Sequence, residues 1–395
     1  MTGLSKRATV TRNPQRDEQL WPSPPADLRD FHDRMPAYAP TALVDAPALA
    51  QDLGVGRVLI KAESRRMGLP SFKILGASWA TYQAICTHLG REPERWSNIN
   101  ELAARLAHLR PFTLATATDG NHGRAVAFMA RLLGFDARIF VPSGMSEARI
   151  EAMQAEGAVV SVVDGDYDDA VARSAQEASD RCIVVSDTSW PGYERIPAQV
   201  IEGYATIFAE VDDALAAAGA SQPDIVVVPM GVGAFMAAAV THYRSRPAGP
   251  LLIGVEPLDA NCVQESALAG DITHVPGPHS SIMVGLNCGR PSLIAWPRLA
   301  SGVDWFVAVS DDDARRAMCD LASAGVVAGE TGAAALAGLR SLLDDPAIRA
   351  DASNLSDLNV LVLVTEGATD PQAYERIVGR SHETVGRILT VAGCP

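Results

Sequence analysis

A single lysine, Lys73, stands among small and apolar residues in the stretch GLPSFKILGAS, residues 68–78. A lysine at a helix start usually buries its methylene stem and keeps its ammonium in water. The alternative is an amine held out of water, neutral and nucleophilic, which forms a Schiff base with a carbonyl group. The lysine alone leaves both interpretations open, so residues elsewhere in the chain have to decide between them.

A second candidate is the loop TDGNHG, residues 118–123, which follows the apolar run TLATA and opens a helix-like segment. Glycine lets the backbone approach a ligand closely or adopt a positive φ, and the free N–H groups of a helix start suit a carboxylate. Asp119 adds a base and Asn121 an amide, whereas we expect His122 to be packed or to cap. An ordinary turn is the alternative. The candidates for substrate contact in this loop are Thr118, Asp119 and Gly120.

A glycine loop, MGVGAFMAA at residues 230–238, follows the apolar run DIVVVP and opens another helix. The backbone amides of such a loop form a cradle for phosphate. A dinucleotide fingerprint would need a third glycine where Met236 stands, although Glu256, about twenty residues further on, imitates the acid that binds a ribose. The loop favours a single phosphate monoester and leaves a nicotinamide cofactor as the alternative.

Two more loops place carboxylates and hydroxyls after apolar runs: DTSWPGY at residues 187–193 and TEGATDP at residues 365–371. Each by itself is typical of a solvated loop. Ligands of open α/β sheets, however, bind beyond the carboxyl ends of the strands. We therefore expect all of these loops to line a binding crevice.

One cofactor accounts for these residues together. Pyridoxal 5′-phosphate needs an amine for its aldehyde, a backbone cradle for its phosphate, a donor for its phenolic oxygen and a partner for its ring nitrogen. Lys73, the 231–235 loop, Asn121 and the 365–367 turn meet these needs, and Thr365 is favoured over Glu366 beside the ring nitrogen. The expected cofactor-binding residues are Phe72, Lys73, Asn121, Gly231, Val232, Gly233, Ala234, Phe235, Thr365 and Glu366.

These loops must be positioned by strands, and the chain alternates apolar runs with helical segments. Near-continuous apolar strands predict parallel sheets covered on both faces. A first series of strands is predicted at residues 113–117, 137–141, 159–163 and 182–187, and a second at 224–229, 251–257, 305–310 and 359–367. A helix over 146–157 is expected to have Ser146 as N-cap and Gly157 just beyond its end.

The predicted fold class is therefore α/β, with two open, mostly parallel twisted sheets, the smaller inserted into a larger cofactor domain. Residues 1–35 are expected to form a polar N-terminal arm, either mobile or lying across a partner subunit. The large domain is predicted from residues 36–80 and 206–395, and the small α/β domain from residues 81–205.

Composition excludes several classes of function. A net charge of −14 without a basic run argues against nucleic acid. No apolar run is long enough to cross a membrane, and the N-terminus lacks the apolar core of a secretory signal. Six scattered cysteines without ligand spacing indicate a reducing, cytoplasmic location and no metal site. The expected partner is a small molecule.

The order of these motifs resembles the fold-type II pyridoxal-phosphate enzymes, the superfamily of threonine dehydratase and tryptophan synthase β. Within it the chain looks most like the diaminopropionate ammonia-lyase family, over roughly residues 36–376. The motifs that carry the resemblance are FKILGAS (72–78), TDGNHG (118–123), DTSWPGY (187–193), IPAQVIEGYAT (196–206), VEP (255–257), GLNCGRP (285–291), GETG (329–332) and TEGATDP (365–371).

The resemblance implies α,β-elimination of D- or L-2,3-diaminopropionate to pyruvate and ammonia through an aminoacrylate intermediate. It implies that Lys73 binds the cofactor and acts as a base beside Cα. Asp119 would take the proton of a D-substrate, and Asp187 would hold or deprotonate the β-ammonium. Two carboxylates suit a substrate with an extra cation. A homodimer is expected from the superfamily.

Other outcomes stay open. Asn287 and Arg290 stand where the family usually has an alanine and an acid, so the substrate could differ. The second hypothesis is another β-eliminating or β-replacing enzyme of the superfamily, such as a hydroxy-amino-acid dehydratase or a biosynthetic tailoring enzyme. A third is a binding protein that has lost catalysis, against which Lys73, Asn121 and Asp119 argue. Cys262 and Cys288 are either two packed thiols or a reversible disulfide.

Overall fold

The computed structural model describes residues 7–346, 348 and 355–391. The chain divides into two compact units. The first comprises the described parts of residues 1–23, 40–65 and 207–395, and the second comprises residues 24–39 and 66–206. Residues 24–39 and 66–80 thus group with the second unit, whereas the sequence assigned them to the arm and the large domain. The predicted domain boundaries stay a prediction.

The described elements follow one another with few long loops. In chain order they are β1 (Thr9–Arg12), α1 (Leu28–Asp33), β2 (Leu43–Asp45), α2 (Pro47–Leu53), β3 (Arg57–Ala62), α3 (Lys73–Leu89), α4 (Ile99–Arg105), β4 (Thr113–Ala117), α5 (Asn121–Leu133), β5 (Asp136–Pro142), α6 (Glu147–Ala155), β6 (Ala158–Val163), α7 (Tyr167–Ala175), β7 (Cys182–Val184), α8 (Arg195–Ala217), β8 (Ile225–Pro229), α9 (Ala234–Tyr243), β9 (Leu251–Pro257), α10 (Cys262–Ala269), α11 (Trp296–Gly302), β10 (Trp305–Val309), α12 (Asp311–Ser323), α13 (Glu330–Asp344), β11 (Asn359–Val364), α14 (Pro371–Val378) and α15 (His382–Val391).

The first unit contains a seven-stranded sheet in the order β1-β10-β9-β8-β11-β3-β2. The five inner strands are parallel, and the edge strands β1 and β2 are antiparallel. Strands β8 and β11 are neighbours and buried along nearly all of their length. Because parallel neighbours end at the same edge, the loops after β8 and β11 lie side by side.

The second unit contains a four-stranded parallel sheet in the order β6-β5-β4-β7. Strand β4 is central, and its carboxyl end lies beside that of β7. The loops that carry Asp119 and Asp187 therefore leave the sheet at adjacent points. The predicted fold class, α/β with two mostly parallel sheets, is confirmed.

The expectation of a mobile or partner-binding arm is wrong for residues 9–12. They form β1, which pairs antiparallel with β10 from Thr9 opposite Ala308 to Arg12 opposite Trp305. The hydroxyl of Thr9 donates to the side chain of Gln264, which in turn donates to Thr11, at 3.0 Å each. Alternating Thr and Val residues suit an edge strand, a signal that the polar composition of the segment concealed.

Other elements differ from the sequence prediction at their ends. Strand β7 stops at Val184 rather than 187, because the chain then turns into the loop that carries Asp187. Strand β6 lies at a sheet edge, so Val159 and Val162 are exposed instead of buried. Ser146 occupies the N-cap position of α6, but its side chain makes no capping hydrogen bond.

No helix among the described residues is long and apolar enough to cross a membrane.

Candidate active site

Helix α3 begins at Lys73 and holds this residue on a rigid support. Gly76 and Gly203 let α3 and the first turns of α8 approach closely. A Cβ at Gly76 would lie 2.5 Å from Cε1 of Tyr204, and a Cβ at Gly203 would lie 2.5 Å from the carbonyl oxygen of Leu75. Both positions therefore require glycine, and the helix that begins at Lys73 packs closely against α8.

The Lys73 ammonium forms an ion pair with Asp187, with 2.8 Å between Nζ and Oδ2. Its Nζ also lies 5.5 Å from the ring centroid of Phe72 and 5.9 Å from that of Tyr204. The side chain is 23 % exposed. The prediction of an amine that is held out of water, neutral and ready to form a Schiff base stays a prediction.

Asp187 is buried, and several polar groups surround its carboxylate. The Tyr167 hydroxyl lies 3.4 Å from Oδ1, and Nδ1 of His122 lies 3.8 Å from Oδ2. Burial alone would raise the pKa of Asp187, but nearby positive charge and the hydrogen bond from Lys73 outweigh it and hold the pKa well below its usual range. Asp187 is therefore an ionised carboxylate that binds cations.

His122 has a packing role, as the sequence suggested. Its Nε2–H donates to the carbonyl oxygen of Val185 at 2.7 Å, and its ring is buried. Burial lowers the pKa of His122, so the ring is neutral near pH 7. Lys73 is the ion-pair partner of Asp187, and Nδ1 of His122 lies 3.8 Å from the same oxygen.

The turn between β4 and α5 is shaped by Thr118. Its Oγ1 accepts the N–H groups of Gly120 at 2.9 Å and Gly123 at 3.0 Å. Gly120 has φ of +138°, and a Cβ at Gly123 would lie 2.3 Å from Cγ2 of Thr118. The hydroxyl of Thr118 thus builds the turn, and its contact with a substrate stays a prediction. Asn121 is the first residue of α5.

Asp119 differs electrostatically from Asp187. Asp119 is half-buried by accessible surface, and the loss of solvent around its carboxyl group, together with the negative charge of Asp187, raises its pKa to about 7, against the opposing charges of Arg149 and Lys73. Two nearby carboxyl groups with pKa values displaced in opposite directions are typical of acid–base chemistry. Asp119 can change its protonation near neutral pH, whereas Asp187 stays ionised.

The glycine loop of the first unit lies at the carboxyl end of β8. Gly233 precedes α9 with φ of +91°, and α9 has no side-chain cap hydrogen bond at its start. A Cβ at Gly233 would lie 2.3 Å from Cδ1 of Leu299, and one at Gly231 would lie 3.1 Å from Sγ of Cys288. Both positions therefore favour glycine, and the role of the backbone amides at the start of α9 as a phosphate cradle stays a prediction.

Thr365 follows β11 and lies beside this loop at the same sheet edge. Its Oγ1 is buried and has no hydrogen-bond partner among the residues that the structure describes. A buried hydroxyl normally finds a partner. The Thr365 hydroxyl can donate a hydrogen bond to a ring nitrogen or accept one from it, and the glycine loop can hold a phosphate. The residues present therefore suit pyridoxal phosphate. Glu366 is also buried.

Glu256 has a structural role that removes it from ribose binding. Its carboxylate accepts the N–H groups of Val263 at 2.8 Å and Gln264 at 2.9 Å, at the start of α10. Burial raises its pKa to about 8. Glu256 is therefore not available to bind a ribose, which removes the acidic residue that supported a nicotinamide cofactor.

The structure also places Cys262, Cys288, Asn287 and Arg290, which the sequence analysis singled out. Cys262 and Cys288 are buried, and none of the five cysteines within the described ranges forms a disulfide. The Asn287 side chain donates to the carbonyl oxygen of Ser281 at 2.8 Å, and Arg290 is exposed. The described residues contain no group of three potential metal ligands.

Sequence reasoning missed three residues near the carboxylates. Tyr167 contacts Asp187, Arg149 donates to the carbonyl oxygen of Asp119 at 3.0 Å, and Tyr193 accepts the N–H of Ser186 at 3.0 Å. Tyr167 begins the helix after β6, so its position after a strand was a usable signal. Arg149 and Tyr193 are brought in by tertiary packing.

Comparisons with known proteins show which family this chain belongs to. The family model described as pyridoxal-phosphate dependent enzyme matches residues 34–366. Diaminopropionate ammonia-lyase of Escherichia coli K12 is 36 % identical over 90 % of this chain and 92 % of its own. The Salmonella typhimurium LT2 enzyme of the same name is 34 % identical, covering 89 % and 91 %.

Solved structures are similar over nearly the whole chain. The E. coli diaminopropionate ammonia-lyase in complex with D-serine superposes with a TM-score of 0.86 at 32 % identity, covering 95 % of this chain and 97 % of that one. The same E. coli enzyme with an aminoacrylate-PLP azomethine reaction intermediate gives a TM-score of 0.83 at 32 % identity, with the same coverage.

Proposed function

The chain belongs to the pyridoxal-phosphate dependent enzyme family, within the fold-type II group that contains diaminopropionate ammonia-lyase, and we propose from this that it eliminates ammonia from 2,3-diaminopropionate. One water is consumed, and the products are one pyruvate and two ammonia molecules. The observation that carries the proposal is the group formed by Lys73 and the two carboxylates whose pKa values are displaced in opposite directions.

We propose that Lys73 binds the aldehyde of pyridoxal phosphate, the amides of residues 231–235 hold its phosphate, and Asn121 contacts its phenolic oxygen. Thr365 is proposed as the partner of the ring nitrogen, supported by its buried Oγ1 without a described partner. Phe72 and Glu366 complete the binding residues. When bound, this cofactor supplies the electron sink that stabilises negative charge at Cα.

The residues of the chain then divide the proton transfers. We propose that the Lys73 amine takes the Cα proton on one face, and that Asp119 takes it from the D-substrate, whose Cα–H faces away from Lys73. Asp119 suits this task because its pKa of about 7 makes it half ionised near neutral pH. For the L-substrate, we propose that Lys73 takes the Cα proton.

Asp187 is proposed to bind the β-ammonium of the substrate. Its carboxylate already binds an ammonium, that of Lys73, at 2.8 Å. Since its pKa is low, Asp187 is a poor base and would leave the β-nitrogen protonated. A protonated β-nitrogen leaves as ammonia without a further proton. This argument favours a diamino acid over serine or threonine, which have no second cation. Thr118 and Gly120 are proposed as further substrate contacts.

A panel of substrates tests the proposal. Purified holoenzyme is incubated with D- and L-2,3-diaminopropionate, serine and threonine, and pyruvate and ammonia are measured. We expect both diaminopropionate isomers to give two ammonia molecules per pyruvate and to be turned over faster than serine or threonine. Faster turnover of threonine or serine would instead support the hydroxy-amino-acid dehydratase alternative, to which Asn287 could contribute.

Assembly and location complete the proposal. We propose a homodimer, on the resemblance to the superfamily, and a cytoplasmic location, on the scattered cysteines without ligand spacing. Light scattering of the purified holoenzyme would give the molar mass, and a monomer would contradict the first point.

A further inference from the structure

Arg149 lies on α6 and acts on Asp119 from outside the strand-end loops. Its Nη1 donates to the carbonyl oxygen of Asp119 at 3.0 Å. Its side chain also covers the next residue, since a Cβ at Gly120 would lie 3.4 Å from Cδ of Arg149. The guanidinium therefore contacts the backbone that carries the Asp119 carboxyl.

The Asp119 peptide is held from both sides. On one side Oγ1 of Thr118 accepts the Gly120 N–H at 2.9 Å, and on the other the Arg149 guanidinium binds the Asp119 carbonyl oxygen. Gly120 has φ of +138°, a conformation that glycine adopts readily. These two hydrogen bonds hold the backbone on either side of the Asp119 peptide group.

Four charged groups on four different segments act on the Asp119 carboxyl. Asp187 after β7 and Asp168 on α7 favour its protonated form, whereas Arg149 on α6 and Lys73 on α3 favour its ionised form. His122 on α5 is neutral near pH 7. An arginine remains charged at every working pH. Lys73 loses and gains its charge when it takes part in proton transfer, so Arg149 is the constant cation.

We propose that Arg149 is a positioning residue that orients Asp119 and sets the pH range in which Asp119 accepts the proton of a D-substrate. The inference rests on the proposed role of Asp119. It implies that α6, through Arg149, helps the enzyme to act on the D-isomer as well as on the L-isomer of its substrate. It does not require Arg149 to touch the substrate or the cofactor.

The test separates charge from hydrogen bonding with two variants, Arg149→Gln and Arg149→Lys, of the holoenzyme. We expect R149Q to shift the acidic limb of kcat/KM for D-2,3-diaminopropionate upward by about one pH unit, while the L-isomer profile stays in place. R149K retains the charge and should shift much less. Arg138, exposed and paired with Glu177 in the same unit, provides the control variant Arg138→Gln, with no shift.

A second measurement does not depend on turnover. Selective ¹³C labelling of aspartate carboxyl carbons, with Asp119→Asn to assign the signal, gives the titration midpoint of Asp119 directly. An upward midpoint shift in R149Q supports the effect of Arg149 on the Asp119 carboxyl whatever the substrate. If the D-isomer is then not turned over, it is the proposed role of Asp119 as the base for a D-substrate that fails. An unchanged midpoint in R149Q overturns the proposal, as does an equal loss of activity for D- and L-isomers at every pH.

Discussion

The two units place different kinds of groups at the carboxyl ends of their strands. In the second unit these are the carboxyl groups of Asp119 after β4 and Asp187 after β7, and Lys73, at the start of α3, pairs with Asp187 at 2.8 Å. In the first unit they are the backbone amides of the glycine loop and the hydroxyl of Thr365. Under the proposed function, the second unit supplies the groups that move protons and the first unit supplies those that hold a phosphate and a ring.

This difference between the units predicts how each responds to pH and to substitution. Backbone amides have no titratable group, so the binding half should be insensitive to pH and sensitive to shape. The pKa of Asp119 depends on burial and on several charges, so the proton-transfer half should be sensitive to single charge changes. Substitutions in the first unit are therefore expected to change cofactor affinity, and substitutions in the second unit are expected to change the pH dependence of the rate.

The largest effect is expected at Lys73. Lys73→Ala should lower the elimination rate by at least about 10⁴-fold and abolish the pyridoxyl adduct that borohydride forms on the holoenzyme. Lys73→Arg is the matched variant, because it retains a cation for Asp187 but cannot form an imine. The chain has only three lysines, at positions 6, 61 and 73. A mass-mapped adduct at either of the other two would contradict the assignment.

The next effect separates the two faces of the substrate. Asp119→Asn should lower kcat/KM for the D-isomer by about 10²–10⁴-fold and leave the L-isomer much less affected. Because Asp119 must be ionised to accept a proton, the wild-type rate for the D-isomer should rise with pH through about 7. Asp136→Asn, at an exposed position in the same unit, is the control. Equal losses of kcat/KM for the D- and L-isomers would contradict a role of Asp119 that is specific to the D-isomer.

A smaller effect tests shape in the first unit. Gly233→Ala puts a Cβ at φ of +91° and 2.3 Å from Leu299, and it should raise the dissociation constant of pyridoxal phosphate by about tenfold without altering the pH profile. Gly219→Ala is matched in backbone, with φ of +62° and no atom within 4 Å, and it should leave cofactor affinity unchanged. Equal affinities for both variants would count against the phosphate role of the loop.

The smallest effect on rate is expected at Thr365. Thr365→Ala should shift the absorbance spectrum of the bound cofactor and lower elimination by no more than about tenfold, because one neutral hydrogen bond is lost. Thr365→Ser retains the hydroxyl and should retain the spectrum. If the spectrum changes in Glu366→Gln but not in Thr365→Ala, the ring nitrogen belongs to Glu366.

Local pattern was enough for much of the molecule. The apolar runs at 113–117, 251–257 and 305–310 lie on strands β4, β9 and β10, because a strand buried on both faces has to be apolar throughout. The strand ends indicated where Asp119, Asp187 and Thr365 lie. The edge strand β1 was missed, since its polar composition resembles that of a loop, whereas β6 was predicted as a strand but not as an exposed edge.

The sequence by itself determined the family, the order of strands and loops, and the residue types available for chemistry, because these depend on local pattern and motif. Only the tertiary structure decided that Lys73 pairs with Asp187, that Glu256 caps α10 and that Arg149 contacts the Asp119 turn. The pKa of Asp119 is likewise a tertiary property. Burial and charge act through space, and residues that are far apart in the chain set them together.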